Sequence, residues 1–107
     1  MKYRIKEILH SGRKDTRNKP VDSPKFDGMI DSIIKLKYIE DPNMNITEID
    51  NIEDIKQFSL VGWDFLSGNV PYEYWETTAV IAIYLDYNDI YHIETVNTIY
   101  KLEKIED

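Results

Sequence analysis

Alternation of apolar and polar side chains is the main pattern of this chain, and it predicts a mainly β protein. It is clearest in residues 32–40, where lysines separate Ile34, Leu36 and Tyr38, as in a strand with one buried face. Residues 58–66 also have the composition of a strand, but a glycine interrupts them. We therefore expect that strand to be bent or bulged.

The first and last parts of the chain are less regular. Residues 2–10 alternate and then shift phase at Ile8 and Leu9, which fits either a strand with a bulge or a short helix. We favour the strand. Residues 90–105 carry an apolar side chain at every third position among poor helix formers, so we expect a strand with a bulge or tight turn near Asn97.

Two further segments have distinct patterns. Residues 77–85 are apolar and β-branched on both faces, which predicts a buried central strand, and residues 86–89 supply the turn of a hairpin. Residues 48–57 predict a short helix, because Thr47 can cap it and acidic residues occupy its first turn. The side chains that would face inward from this helix are Ile49, Ile52 and Ile55.

Length and composition indicate one domain, residues 1–107. The hydrophobic share is 42% and the charged share 31%, which is typical of a soluble globular protein. Short strands with turns, one helix and no internal repeat predict a small SH3-like barrel or a curled antiparallel sheet of about five strands.

Several classes of protein are excluded or disfavoured. The chain has no cysteine, so it has no disulfide, no thiolate nucleophile and no zinc site of the cysteine type. Its N-terminus lacks the apolar region of a signal peptide, and no apolar run approaches the ~18 residues of a membrane span. We therefore expect a cytoplasmic protein without a membrane partner.

The charge is divided unevenly along the chain. The net charge is −7, yet residues 1–20 carry seven Lys/Arg against two Asp/Glu, a net charge of +5, and residues 21–107 carry −12. Glycine and proline are frequent in residues 11–25, which predicts that the basic residues lie on an irregular surface loop.

This basic loop is a candidate anion site. Arginine matches phosphate or carboxylate geometry, so Arg13, Lys14 and Arg17 could surround one anion, with Thr16 and Asn18 as further donors. The alternative is a solvated loop whose charges only balance the acidic body.

An aromatic group is the second candidate feature. Tyr72, Tyr74 and Trp75 follow a Gly/Pro turn and stand beside glutamates, so at least one ring is expected to be exposed. It could stack on a nucleobase or lie at an interface between subunits. Exposed rings and strand edges together predict a homo-oligomer.

Metal and catalytic sites are not expected. Residues 41–47 imitate the start of a calcium loop, but Ile46 and Ile52 stand where the loop needs glycine and glutamate. The only acid/base scheme is a metal-independent phosphodiesterase built from His10 and His92 with a basic residue of the loop, and no hydrolase motif accompanies it. We expect a binding protein without cofactor or metal.

Four short patches resemble small uncharacterised proteins encoded by phages and prophages of AT-rich bacteria. They are residues 13–18, 28–30, 77–80 and 95–100, and Asp31 departs from the second glycine common in such proteins. The resemblance implies an accessory protein of a phage or mobile element, a setting in which small oligomeric proteins sequester nucleotide signals or block host defence proteins.

These observations give two functional hypotheses. The first is capture of an anionic small molecule, such as a nucleotide signal, by the basic loop with a stacking ring from residues 72–75. The alternative is an acidic interaction module that blocks a host nucleic-acid-binding or defence protein. Direct binding of nucleic acid is not expected, because the acidic body repels a duplex.

Overall fold

The computed structural model describes residues 1–12, 15–39 and 47–106. Within these ranges, antiparallel strands form one open 8-stranded sheet in the order β5-β4-β2-β1-β8-β7-β6, with β3 paired to β2. The strands are β1 (Lys2–His10), β2 (Ile33–Tyr38), β3 (Thr47–Glu48), β4 (Val61–Ser67), β5 (Tyr74–Glu76), β6 (Val80–Leu85), β7 (Ile90–Thr95) and β8 (Thr98–Glu106). Helical structure in the described ranges consists of the 3-10 turns Pro24–Phe26 and Ile52–Asp54.

The mainly β prediction is confirmed, and so are most of the predicted strands. β1 contains the expected bulge, since its register against β8 shifts between Ile5 and Glu7. The hairpin of β6 and β7 turns at residues 86–89, and the chain between β7 and β8 turns at Val96 and Asn97.

Ile8 and Leu9 are adjacent on β1 and therefore point to opposite faces of the sheet, and both are buried. Ile8 pairs with Tyr100 and joins the main core. The Leu9 side chain points to the opposite face, while its backbone pairs with Ile99 of β8 and forms an isolated bridge with Pro20. The bulge between Ile5 and Glu7 brings Ile8 to the same face as Ile5, three residues earlier, so both side chains join the main core.

The main core lies inside the curl of the sheet. Trp63 of β4 is fully buried, and its ring meets that of Tyr100 of β8 edge-on with centroids 4.9 Å apart. Since β2 and β1 separate these two strands in the sheet, the contact requires strong curvature. Trp75 of β5 extends the same cluster, because its indole N–H donates to the Tyr100 hydroxyl at 3.1 Å.

The SH3-like barrel of about five strands is corrected, because the sheet has more strands and does not close. The chain after β5 stays on β4 as far as Thr77, whose N–H and hydroxyl donate to the Val61 carbonyl at 2.9 and 3.0 Å. Val80 then donates to the Ser59 carbonyl at 3.0 Å. Within the described ranges the rest of β6 pairs only with β7, so the curled sheet stays open there.

The predicted helix over residues 48–57 is wrong. Thr47 and Glu48 instead form β3, and only Ile52–Asp54 is helical, as a 3-10 turn. The isoleucines are nevertheless buried as expected: Ile49, Ile52 and Ile55 are 3%, 1% and 8% exposed. An extended segment followed by a tight turn produces the same threefold spacing as a helix.

The prediction of a buried central strand over residues 77–85 is also wrong. The strand begins only at Val80, and it lies at one end of the strand order. Tyr84 and Leu85 are each 46% exposed. In the described part of the chain no helix is long and apolar enough to cross a membrane.

Candidate functional site

The basic loop folds back along the end of β1. The His10 N–H donates to the Lys19 carbonyl at 2.8 Å, and the Asn18 N–H donates to the His10 carbonyl at 2.9 Å. A third bond, from the Lys19 N–H to the Thr16 carbonyl at 3.0 Å, closes the turn. Asn18 has a φ of 67°, a left-handed conformation that asparagine tolerates better than most residues. The left-handed conformation of Asn18 and the backbone carbonyl of Thr16 therefore help to shape the loop.

Arg17 anchors this loop to β7. Its two terminal nitrogens donate to the two carboxylate oxygens of Glu94 at 2.9 and 2.6 Å. The Ser11 hydroxyl has one proton to donate, and it lies 3.1 Å from the same carboxylate and 3.0 Å from the Thr95 carbonyl. The hydrogen bonds from Arg17, with Ser11 and the opposite charge, lower the pKa of Glu94 despite its partial burial.

This geometry changes the role of Arg17 in the predicted site. A bidentate pair satisfies the guanidinium with a carboxylate of the same chain and compensates its charge. Arg13 and Lys14, the other cations of the proposed site, lie outside the described residues. Of residues 41–47, which resemble the start of a calcium loop, all but Thr47 lie outside the described residues as well.

The aromatic group lies at β5, at the other end of the strand order from β7. The Trp75 ring lies 5.3 Å from Phe26 and 6.0 Å from Tyr72, measured between centroids. Tyr72 and Tyr74 are exposed, and the Lys37 ammonium lies 5.1 Å from the centre of the Tyr74 ring. Among the described residues, no contact joins these rings to Arg17. The contacts of Arg17 therefore do not bring the basic loop and the aromatic group together.

A polar cluster on the outer face of β6 and β7 was missed by the sequence analysis. The His92 ring stacks on Tyr84 with centroids 4.4 Å apart, and its Nε2 lies 2.8 Å from the Asp86 carboxylate. The hydrogen bond with His92 is the main cause of the lowered pKa of Asp86. Because His92 and Glu94 are two residues apart on one strand, their shared face could have been expected from alternation. No described contact joins His92 to His10.

The second feature that the sequence did not reveal is the edge of β6 that no described strand covers. Asp86 donates its N–H to the Ile90 carbonyl, so it points toward β7, and Tyr84 and Ala82, which keep the same register, do so as well. The backbone groups of Ile83 and Leu85 then point away from β7 along the open edge. The strand sequence VIAIYL contains no charge and no proline, the features that usually protect an edge from pairing.

A groove runs beside the start of this edge. It has a volume of about 340 Å³ and is lined by Glu53, Ile55, Gln57 and residues 80–83. The Gln57 side-chain amide donates to the Ile81 carbonyl at 3.2 Å, in the position that a strand neighbour would take. Glu53 accepts a hydrogen bond from the Tyr91 hydroxyl at 3.0 Å, which fixes a carboxylate beside the groove.

Acidic groups stand at both ends of the β6 edge. Glu53 lies beside Val80 at one end, and Asp86 and Asp89 follow Leu85 at the other. Exposed Tyr84, Leu85 and the fully exposed Tyr87 add apolar surface. The edge thus combines outward-pointing backbone groups, apolar side chains and negative flanks.

Comparisons with known proteins assign the chain to no family. No family model matches the chain, and neither the curated proteins nor the solved structures contain a match. Among the described residues, no group of three or more His, Cys, Asp or Glu side chains is arranged to hold a metal ion.

Proposed function

We propose that this protein is a non-enzymatic binding module that captures an extended, basic segment of a partner protein by adding it as a further strand beside β6. The observation that carries the proposal is the uncharged edge strand, whose Ile83 and Leu85 backbone groups point outward. Strand addition of this kind takes its affinity from main-chain hydrogen bonds and its selectivity from flanking side chains. In the phage setting that the resemblance implies, the partner would be a host protein.

The flanking charges favour a basic partner over a second copy of the chain. Two copies joined antiparallel through β6 would place the Glu53 end of one strand against the Asp86 end of the other. Like charges across such a pair are unfavourable, whereas lysine or arginine in a partner would be attracted to both ends. The predicted homo-oligomer stays a prediction, and light scattering tests it directly.

Binding of a defined peptide tests this proposal. The probe is a short, fluorescently labelled peptide of alternating valine and lysine, and the comparison peptide replaces lysine with glutamate. Fluorescence anisotropy should show binding of the lysine peptide that weakens with added salt, and little binding of the glutamate peptide. Equal binding of the two peptides would exclude a role for the acidic flanks.

Two variants locate the binding at β6. Leu85→Pro removes an N–H that points outward, so the ladder with β7 stays intact while the added strand loses a bond. Glu53→Gln removes one flanking charge, and Glu73→Gln makes the same charge change beside β5 as a control. Peptide affinity should fall for Leu85→Pro and for Glu53→Gln and stay unchanged for Glu73→Gln. If Leu85→Pro fails to fold, the amides of Ile83 and Leu85 in the wild type should instead gain protection from exchange on peptide binding; unchanged protection refutes strand addition.

Anion capture by the basic loop is the second candidate, favoured by the charge of +5 in residues 1–20. Since Arg17 is bound to Glu94, Arg13 and Lys14 are the cations that we propose for the ligand, with Tyr72, Tyr74 or Trp75 as the stacking ring. Calorimetry with a nucleotide panel should show binding that Arg13→Ala with Lys14→Ala abolishes. Absence of binding by the wild type would reject this candidate.

A further inference from the structure

A cleft of about 460 Å³ opens beside β1, apart from both features described above. It arises because β2 pairs with β1 only at Tyr3 and Arg4. Beyond that point the chain of residues 20–32 takes the place of β2: the Asp31 N–H donates to the Ile5 carbonyl at 2.7 Å and the Val21 N–H to the Ile8 carbonyl at 3.0 Å. The bulged residues of β1 between these two bonds form the floor of the cleft.

The apolar part of the cleft is substantial. Ile8, Pro20, Val21, Phe26 and Ile30 contribute to its lining. Phe26 is held in place by its contact with Trp75, whereas Ile30 is 48% exposed. The volume falls within the range of ordinary small-molecule sites, roughly 300–1,000 Å³. The cleft can therefore cover the hydrocarbon or aromatic body of a small ligand.

The charges of the cleft are mostly negative. Lys6 and Glu7 line it, but Lys6 lies 3.8 Å from Asp31 and Glu7 lies 3.5 Å from Lys101, so each is compensated by a neighbour. Asp22 and Asp27 also line it, and the described ion pairs include neither of them.

One cation already approaches this wall. The Lys25 ammonium lies 5.3 Å from the centre of the Phe26 ring, a distance at which a ring attracts a cation. Lys25 is exposed and stands between the two carboxylates along the chain, so the ammonium of a ligand at this wall would displace the lysine side chain. The combination of an aromatic wall and carboxylates is the chemistry that recognises an organic ammonium.

We infer that the cleft binds a small organic cation that joins an ammonium group to an aromatic or branched hydrocarbon body. The body packs between Phe26, Val21 and Ile30, and the ammonium lies near Asp22 and Asp27. The ligand of the cleft is a cation, whereas the ligand expected for the basic loop is an anion. The site is also independent of strand addition at β6, since no residue lines both the cleft and the groove.

Three probes of one shape test the inference: phenethylamine, its neutral counterpart 2-phenylethanol, and the anion phenylacetate. Titration of the isotope-labelled wild type followed by NMR should show saturable shifts for the amine that cluster at residues 20–30 and at Lys6 to Leu9. The alcohol should bind several-fold more weakly and the anion not at all. Equal binding of amine and alcohol, or shifts that lie elsewhere, would overturn the inference.

Two variants complete the test. Asp22→Asn with Asp27→Asn should weaken amine binding roughly five- to tenfold, as expected for two partly exposed charge pairs, and leave binding of the alcohol unchanged. Glu73→Gln, which lies outside the cleft, should change neither the affinity for the amine nor the affinity for the alcohol. Val21→Phe fills the cleft and should abolish binding while the thermal midpoint is retained. If Val21→Phe unfolds, the double variant Asp22→Asn with Asp27→Asn decides alone. An unchanged affinity of this double variant for the amine excludes the proposed site.

Discussion

A matched pair of glycine substitutions tests the packing of the segment that carries the cleft. Gly28 has a φ of +78°, and a Cβ atom built on it would stand 1.9 Å from the Asn69 carbonyl oxygen and 2.6 Å from the Asn69 carbonyl carbon. Gly12 has a similar φ of +84°, but its Cβ would meet only the Val96 carbonyl oxygen, at 3.3 Å. The two positions thus share a backbone conformation and differ in the space around them.

The cost of the left-handed conformation and the cost of the clash can be estimated separately. A left-handed conformation costs an alanine about 1–2 kcal/mol, and the less flexible unfolded chain returns roughly 0.4–1 kcal/mol, so Gly12→Ala should lower the free energy of unfolding by about 1 kcal/mol. Gly28→Ala adds a clash with backbone that can only be relieved by moving the chain. Overpacking of this kind costs about 1–3 kcal/mol more.

Urea unfolding followed by circular dichroism gives both values under the same conditions. Since about 1 kcal/mol corresponds to roughly 4–8 °C in the midpoint of a domain near this size, the thermal midpoints should also differ by at least several degrees. If the two variants lose the same stability, the close approach of Gly28 to Asn69 does not exist in solution. The wall of the cleft that Gly28 forms would then need a different description.

Three further outcomes follow from the polar contacts. The pKa of Asp86 is lowered from 3.8 and that of Glu94 from 4.5, so both contribute stability above these values that is lost as the pH falls below them. Urea midpoints measured from neutral pH to about pH 3 should therefore fall less steeply for Asp86→Asn than for the wild type; equal slopes would contradict the bond with His92. Arg17→Ala should accelerate amide exchange in the basic loop and leave the global midpoint nearly unchanged, and a loop that stays protected would show that Glu94 is not its anchor. Burial raises the pKa of Tyr100, so in an ultraviolet titration this phenol should ionise at higher pH in the folded protein than in the urea-unfolded protein, and ionisation at the same pH would contradict the packing against Trp63.

Local patterns predicted the strands whose environment is regular. Alternation identified β2, and the turn residues 86–89 identified the hairpin of β6 and β7. The short strands β3 and β5 carry too few residues for a period to be recognised. The edge position of β6 could not be derived either, because an apolar run fits a central strand and an unprotected edge equally well.

The candidate sites depend on contacts between distant parts of the chain. Glu94 holds Arg17 across a sequence separation of 77 residues, so composition identified the basic loop but could not show that one of its arginines is already paired. The cleft depends on the point at which β2 leaves β1, which is a property of register. Charge and ring content therefore located the loop and the aromatic group, whereas their surroundings required the fold.

The pairing of β1 with β8 also bears on how the protein is made. On the ribosome, Tyr3, Ile5 and Ile8 emerge well before their partners Lys104, Leu102 and Tyr100. Strands that are far apart in sequence pair slowly, and an unpaired strand is prone to aggregation until its partner has been synthesised. The centre of the sheet is therefore completed only after synthesis reaches β8, and until then the nascent chain lacks the strand that pairs with most of β1.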